Sequence, residues 1–150
     1  MLARVRIAVS SDERTGVADA LVEELRRRGH DPLPHGALAE GEPQNWAWAS
    51  ERAARDVAEG RADQAVVCCW TGTGASIAAN KVPGVRAALC ADAETARGAR
   101  RWNDANALVL SLRLTTAATL EEMLDAWFDA RPSEDADDVA NVRHLGDIAP

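Results

Sequence analysis

The chain has 150 residues, 47% of them hydrophobic, with 17 basic against 24 acidic residues and a formal net charge of −7. One domain's worth of length with that apolar share excludes a disordered chain and a pair of independent modules. Acidity without a basic stripe excludes a general binder of nucleic-acid backbone or anionic membrane, so any phosphate is expected to be held locally, by a few Arg and by backbone amides.

Residues 4–9 alternate as a short strand and end in Ser10-Ser11-Asp12. Residues 16–28 repeat Val17, Ala20, Leu21 and Leu25 at helical spacing and stop at Gly29. Prolines at 32 and 34 suit only an edge strand at residues 31–34, with His30 and His35 read as surface groups beside it. A helix is predicted over 46–59. It is followed by an apolar strand over 64–69, as expected for a strand covered on both faces. The run Trp70-Thr71-Gly72-Thr73-Gly74 breaks that strand, and a short helix follows over 75–81. Strands over 85–90 and 105–111 enclose a helix over 92–101. A helix over 117–130 carries Leu120, Met123, Leu124 and Trp127 on one stripe. Within 131–150, residues 132–138 read as a solvated acidic linker, and the rest as a tail that packs on a partner subunit. The whole describes a single domain, 1–150: a three-layer α/β/α sandwich on a five-stranded parallel sheet with right-handed crossovers.

No apolar run approaches the ~20 residues of a membrane span. The stretch at residues 1–9 is short for a secretory signal and runs straight into a strand pattern. Three Cys, at 68, 69 and 90, make neither a disulfide framework nor a metal set. These features together predict a reduced, cytoplasmic protein without a metal.

Ligands in such sheets sit beyond the carboxyl ends of the strands. The places to look are therefore residues 10–16, 69–74, 90–92 and 111–113. Of these, Cys69-Trp70-Thr71-Gly72-Thr73-Gly74-Ala75-Ser76 is the most informative. A strand, a glycine-spaced turn and a helix start let successive amides point at one spot, suited to a phosphate or an enediolate oxygen. The Gly-Lys-Ser/Thr ending of a P-loop and the full dinucleotide spacing are both missing. Read blandly, the glycines only satisfy the angles of a tight turn. Cys69 likewise reads either as a small core residue or as a thiol activated by the helix start to move a proton from carbon. Cys68 points to the other face of the strand and, like Cys90, reads as core. A redox pair at Cys68 and Cys69 is discounted, because neighbours in a strand point apart.

Residues 71–81 (TGTGASIAANK), 84–90 (GVRAALC), Ala96-Arg97, 103–106 (NDAN) and 110–113 (LSLR) resemble, in order and spacing, the ribose-5-phosphate isomerase type B / galactose-6-phosphate isomerase family. The resemblance implies a flavodoxin-like fold, a homodimer or tetramer with its site at the subunit interface, and no organic cofactor or metal. It implies aldose–ketose interconversion of a sugar phosphate or related polyol through a cis-enediolate. Carried over by position, Cys69 is the proton shuttle, Thr71 the hydroxyl beside it, and Gly72, Thr73 and Gly74 the cradle. Asp12 holds the sugar and assists ring opening, Asn103 holds substrate oxygens across the interface, and Arg113 and Arg143 contact phosphate.

The departures are equally specific. The family's His after the first acidic residue is Glu13 here, and its ring-opening His before Asn-Asp-Ala-Asn is Trp102. Its Cys-Gly-Thr-Gly becomes Cys69-Trp70-Thr71-Gly72, and its acidic Asp-Tyr-Pro-Asp becomes Asn45-Trp46-Ala47-Trp48. An indole cannot exchange a proton as an imidazole does. Trp70 and Trp102 are therefore read either as packing or as an apolar wall for the substrate, while packing is favoured for Trp46 and Trp48. The leading expectation is an isomerase acting on a sugar phosphate other than ribose 5-phosphate, with Glu13 supplying the missing acid–base group. The competing expectation is a non-catalytic sugar-phosphate or small-molecule binding protein on the same fold.

Overall fold

A computed structural model describes residues 4–148; the first three residues of the amino-terminal stretch and the last two of the tail lie outside it. Five parallel strands, β1 (Arg6–Ser11), β2 (Asp31–Gly36), β3 (Gln64–Cys69), β4 (Ala87–Leu89) and β5 (Ala107–Ser111), run in the order β2-β1-β3-β5-β4. The helices are α1 (Ala18–Arg27), α2 (Trp46–Ala58), α3 (Thr73–Asn80), α4 (Ala93–Asn103), α5 (Ala117–Asp129) and α6 (Ala136–Ile148). The expected α/β/α sandwich is therefore the observed one.

Period-two alternation sorts the central strands between two cores. Ile7, Val9, Val66, Cys68, Leu108 and Leu110 face α1, α4 and α5, whose Leu21, Leu25, Met123, Leu124 and Trp127 fill the larger core. Ala8, Ala65, Val67, Cys69, Ala107 and Val109 face α2 and α3 through Ala53, Ala54, Ala75 and Ala79. The second core is built largely of alanine, so α2 and α3 ride close to the sheet, and this brings the amino-terminal end of α3 down onto the end of β3.

Strand order reverses between β1 and β3, which opens a crevice at their carboxyl ends. Ser11 of β1 pairs with Cys68 of β3, so Asp12 and Cys69 are the next residues along the two strands at that crevice. β2 with its prolines lies at one edge, as read from the sequence, and β4 lies at the other. β4 is shorter than expected because the Arg86 amide donates to the Asn106 side chain (2.7 Å) and not to the ladder.

Two readings need correcting. His30 is buried: its ring lies 4.3 Å from that of Phe128 and its Nδ1 accepts from the Val5 amide at 3.2 Å. His35 is half-buried, because α2 and the 37–45 segment cover the edge strand that carries it. The acidic stretch is also not a linker throughout, since α6 begins within it at Ala136. Asp137 and Asp138 occupy its first turn, where the helix dipole favours negative charge, and Asp135 accepts from the Asp137 amide at 2.9 Å. α6 buries no residue completely and leans on α4 around Trp102, Pro132, Val139 and Val142.

Trp127 anchors the larger core, 1% exposed, with its indole N–H donating to Gln64 Oε1 at 2.9 Å. Replacing it with Ala should cost about 3–5 kcal/mol, read as a lower midpoint in denaturant unfolding at unchanged slope.

Candidate active site

The β3–α3 turn is stitched to the end of β5. The Cys69 carbonyl accepts from the Leu112 amide at 3.0 Å, and the Trp70 carbonyl accepts from the Arg113 amide at 2.9 Å and from Ser111 Oγ at 3.2 Å. Gly72 enters α3 in the left-handed region, φ +79°, where a Cβ would stand 2.6 Å from Leu89 Cδ1 and 3.1 Å from the Leu110 carbonyl oxygen. A Cβ on Gly74 would stand 2.8 Å from Cε3 of Trp46. Both glycines are therefore required by space, and Gly72 also by its φ angle. Helix α3 starts at Thr73, two residues earlier than predicted, and its first-turn amides lack partners within the helix. Thr71 Oγ1 lies 2.8 Å from Thr73 Oγ1 and is exposed beside them.

Cys69 ends β3 with 5% of its surface exposed, immediately before this turn. Cys68 lies on the other face of the sheet and donates to the Ser10 carbonyl at 3.3 Å; burial pushes its thiol up to about 12. Burial pushes Cys90 up to about 11. Both of those thiols stay protonated at neutral pH.

Across the crevice, Ser11 Oγ donates to the Glu13 carbonyl at 2.6 Å and fixes the turn that presents Asp12 and Glu13. Asp12 Oδ1 is buried with no hydrogen-bond partner. Burial first, and the negative charge of Glu13 second, hold the Asp12 carboxyl above its ordinary value. An unsatisfied buried polar atom costs about 1–3 kcal/mol, and more when it is charged, so Asp12 is a candidate for a group that meets a ligand.

The remaining predicted site residues lie elsewhere in the chain. Arg113 is exposed at the end of β5, tied by its backbone to the turn. Asn103 and Arg143 instead line a cavity of about 660 Å³ walled by Asn80, Lys81, Val85 and Arg86, at the amino-terminal end of β4. Trp102 lies back along α4 over Gly98, where a Cβ would meet its Cζ3 at 2.7 Å. The site thus falls into two groups: Asp12, Glu13, Cys69, Trp70, Thr71, Gly72, Thr73, Gly74 and Arg113 at one end of the sheet, and Trp102, Asn103 and Arg143 at the other.

Trp46, Trp48, Trp70 and Trp102 are each about half exposed. Trp46 nevertheless touches the cradle, at Gly74. Leu89, which covers Gly72, is a contact the sequence reading missed; the only signal was an outward-pointing apolar residue on an edge strand. Among the described residues, no group of three or more His, Cys, Asp and Glu stands close enough to hold a metal ion, and no helix is long and apolar enough to cross a membrane.

The family profile described as Ribose/Galactose Isomerase matches residues 7–145. The chain is 36% identical over 109 residues to galactose-6-phosphate isomerase subunit LacB of Clostridium acetobutylicum, covering 73% of this chain and 62% of that protein. It is 32% identical over 111 residues to ribose-5-phosphate isomerase B of Escherichia coli, 74% of each. To D-erythrulose-4-phosphate isomerase of Pectobacterium atrosepticum it is 29% identical over 125 residues, 83% of this chain and 82% of that one. Its fold superimposes on type B ribose 5-phosphate isomerase of Trypanosoma brucei with a TM-score of 0.86 at 31% identity, covering 97% and 99% of the two chains. The chain belongs to the ribose/galactose isomerase family, and the three relatives above are named as sugar-phosphate isomerases.

Asp12→Asn removes the buried charge while keeping the shape. A carboxyl whose folded pKa is raised stabilises the fold only while protonated, and that contribution is lost as pH rises from the unfolded value of 3.8 through the folded one. The Asn variant should therefore melt above the parent at neutral pH, and the gap should close on acidification towards pH 4 (thermal melts at stepped pH).

Proposed function

We propose that the chain interconverts an aldose and a ketose phosphate through a cis-enediolate, with Cys69 carrying the proton. In the aldose-to-ketose direction the Cys69 thiolate takes the C2 proton. The C–H electron pair becomes the C1=C2 double bond, and the carbonyl pair moves onto O1. A proton then passes from the C2 hydroxyl to O1, the thiol returns its proton to C1, and the double-bond pair takes it up as C2 becomes the carbonyl. The amides at the start of α3 hold the oxyanion, and Asp12 with Glu13 exchanges the hydroxyl proton. The observation that carries this reading is Cys69 at the end of β3, immediately before the turn that opens α3 on unpartnered amides, with Asp12 following Ser11, the register partner of Cys68, across the strand-order switch.

A substrate other than ribose 5-phosphate is supported by Trp102. Where the resembling family carries an acid–base imidazole, this chain has an indole laid back on its own helix. The three histidines are occupied elsewhere: His30 in the core, His35 between two carboxylates and His144 on the exposed face of α6. Such a site suits a sugar phosphate that arrives open-chain. A four-carbon ketose phosphorylated on its last carbon has no free hydroxyl with which to close a ring, and one relative is named for such a compound, erythrulose 4-phosphate.

Trp102, Asn103 and Arg143 join the site from a second copy of the chain, which fits their place at the opposite end of the sheet. The tail that holds Arg143 would then pack on that partner.

Solvent deuterium incorporated at the carbon next to the carbonyl, followed across a panel of four- to six-carbon aldose and ketose phosphates, tests the chemistry. Cys69→Ala should lower the exchange by about 10²–10⁴-fold with the fold intact. Exchange at the parental rate in that variant excludes the shuttle. Tight binding of a sugar phosphate without exchange by the parent would instead identify a binding module.

Shared sites make a separate prediction. Cys69→Ala and Asn103→Ala subunits, each inactive alone, should recover about a quarter of parental activity when unfolded together in equal amounts and refolded, because half of the dimers are mixed and each mixed dimer holds one intact site of its two. No recovery in mixtures that do form hybrids would place both residues in one chain's site.

A further inference from the structure

One cluster of partly buried ionisable groups is not used by the proposed reaction, and it ties β2 and the segment after it to α2, whose first residue touches the cradle. His35, near the end of β2, has each ring nitrogen against a carboxylate. Nε2 is 2.6 Å from Asp56 Oδ2, and Nδ1 is 3.1 and 3.2 Å from the two oxygens of Glu42. Asp56 is buried on α2, and its other oxygen accepts from Arg61 Nε at 2.7 Å. Glu42 lies in the segment between β2 and α2. It also accepts from the Gly36 amide at 3.1 Å, and Arg52 Nη1 lies 3.7 Å from its Oε2. One imidazole therefore ties together an edge strand, the segment that follows it and a helix.

Partly buried ion clusters add little net stability, because desolvation offsets their attraction; what they fix is geometry. The geometry fixed here is the entry into α2. Asn45, its N-cap residue, makes no side-chain capping bond, and no acidic residue occupies its first turn. The helix start is thus not held by its own sequence, and Glu42, four residues before Trp46, is held instead by His35. Trp46 is the first residue of α2, and its ring lies on Gly74 in the first turn of α3. The same junction presses on the other side of the crevice. A Cβ on Gly36 would stand 2.5 Å from the Ser11 carbonyl oxygen and 2.6 Å from Ala49 Cβ, and the Ala37 amide donates to Ser11 at 2.9 Å.

We infer that His35 is a positioning residue for this site: by bridging Glu42 and Asp56 it holds Trp46 as a wall of the Gly72–Gly74 cradle. The wall keeps water off the oxyanion, and the amides act more strongly on a charge from which water is excluded. The inference rests on the cradle being the place of reaction.

Protein labelled with 5-fluorotryptophan gives one ¹⁹F signal for each of the five Trp, assigned by single Trp→Phe variants. His35→Gln cuts the bridge at its centre and Glu42→Gln cuts it from the loop side, so if one variant fails to fold the other decides. Either should move the Trp46 signal while leaving that of Trp127 in place. Either should lower kcat by about tenfold, with KM held within about twofold. In a Trp46→Ala background neither should lower kcat further, an outcome that a merely structural role would not give. An unmoved Trp46 signal, or losses that multiply with Trp46→Ala, overturns the inference. If the parent turns over no sugar phosphate, the proposed reaction fails, and the ¹⁹F signals alone still decide whether His35 places Trp46.

Discussion

The close approach of the β3–α3 turn to the end of β5 is the constraint on which the rest of the structure depends. Two backbone hydrogen bonds, from Leu112 to Cys69 and from Arg113 to Trp70, carry the β3–β5 pairing past the end of β3. With the turn fixed so tightly, a side chain at residue 72 would collide with Leu89 and with the β5 backbone. A side chain at residue 74 would strike Trp46. Gly72 is therefore a consequence of the approach, while Gly74 makes room for Trp46 of α2. A helix that begins at Thr73, directly after a left-handed residue, leaves its first amides free at the point where β3 delivers Cys69. The alanine-built core beneath α2 and α3 serves the same end, because larger side chains would lift both helices away from the sheet.

Much of this was legible in the residues. The apolar run at 64–69 gave β3 with its observed bounds, and opposite faces for Cys68 and Cys69 followed from strand periodicity alone. Prolines placed β2 at an edge. What escaped was decided by contacts distant in sequence. His30 and His35 flank a polar, proline-rich strand and look solvated, yet Phe128 covers one and Glu42 with Asp56 encloses the other. The acidic run at 134–138 has the composition of a linker, and only its position relative to the chain that follows turns it into a helix start. Leu89 gave no periodic signal that it would reach Gly72.

Polar burial in this fold is concentrated around the crevice, and its character differs on the two sides. Asp12 has a buried oxygen without a partner, a local deficit that the fold tolerates at the carboxyl end of β1. Asp56 is buried, His35 and Glu42 are half-buried, and all three are paired. The first arrangement leaves a carboxyl oxygen unpaired, whereas the second spends its polar groups on joining β2, the segment after it and α2. Their neighbourhood is not an accident of packing, because Gly36 and Ala37 press the paired cluster against Ser11, the residue that precedes Asp12.

The division of the candidate residues between the two ends of the sheet has a simple consequence. Strands of six residues, such as β1 and β3, extend about 20 Å at ~3.3 Å per residue. A sugar phosphate cannot lie against Cys69 at the carboxyl end of such a sheet and also meet Asn103 and Arg143 of the same chain beyond its amino-terminal end. If all of them act on one substrate, two chains must meet with the cavity beside β4 of one facing the crevice between β1 and β3 of the other. That arrangement would also give a chain of net charge −7 a local place for an anion. In that arrangement the crevice would bring amides and Arg113 but also Asp12 and Glu13, and the cavity edge Lys81, Arg86 and Arg143, so positive charge would gather where the two surfaces join.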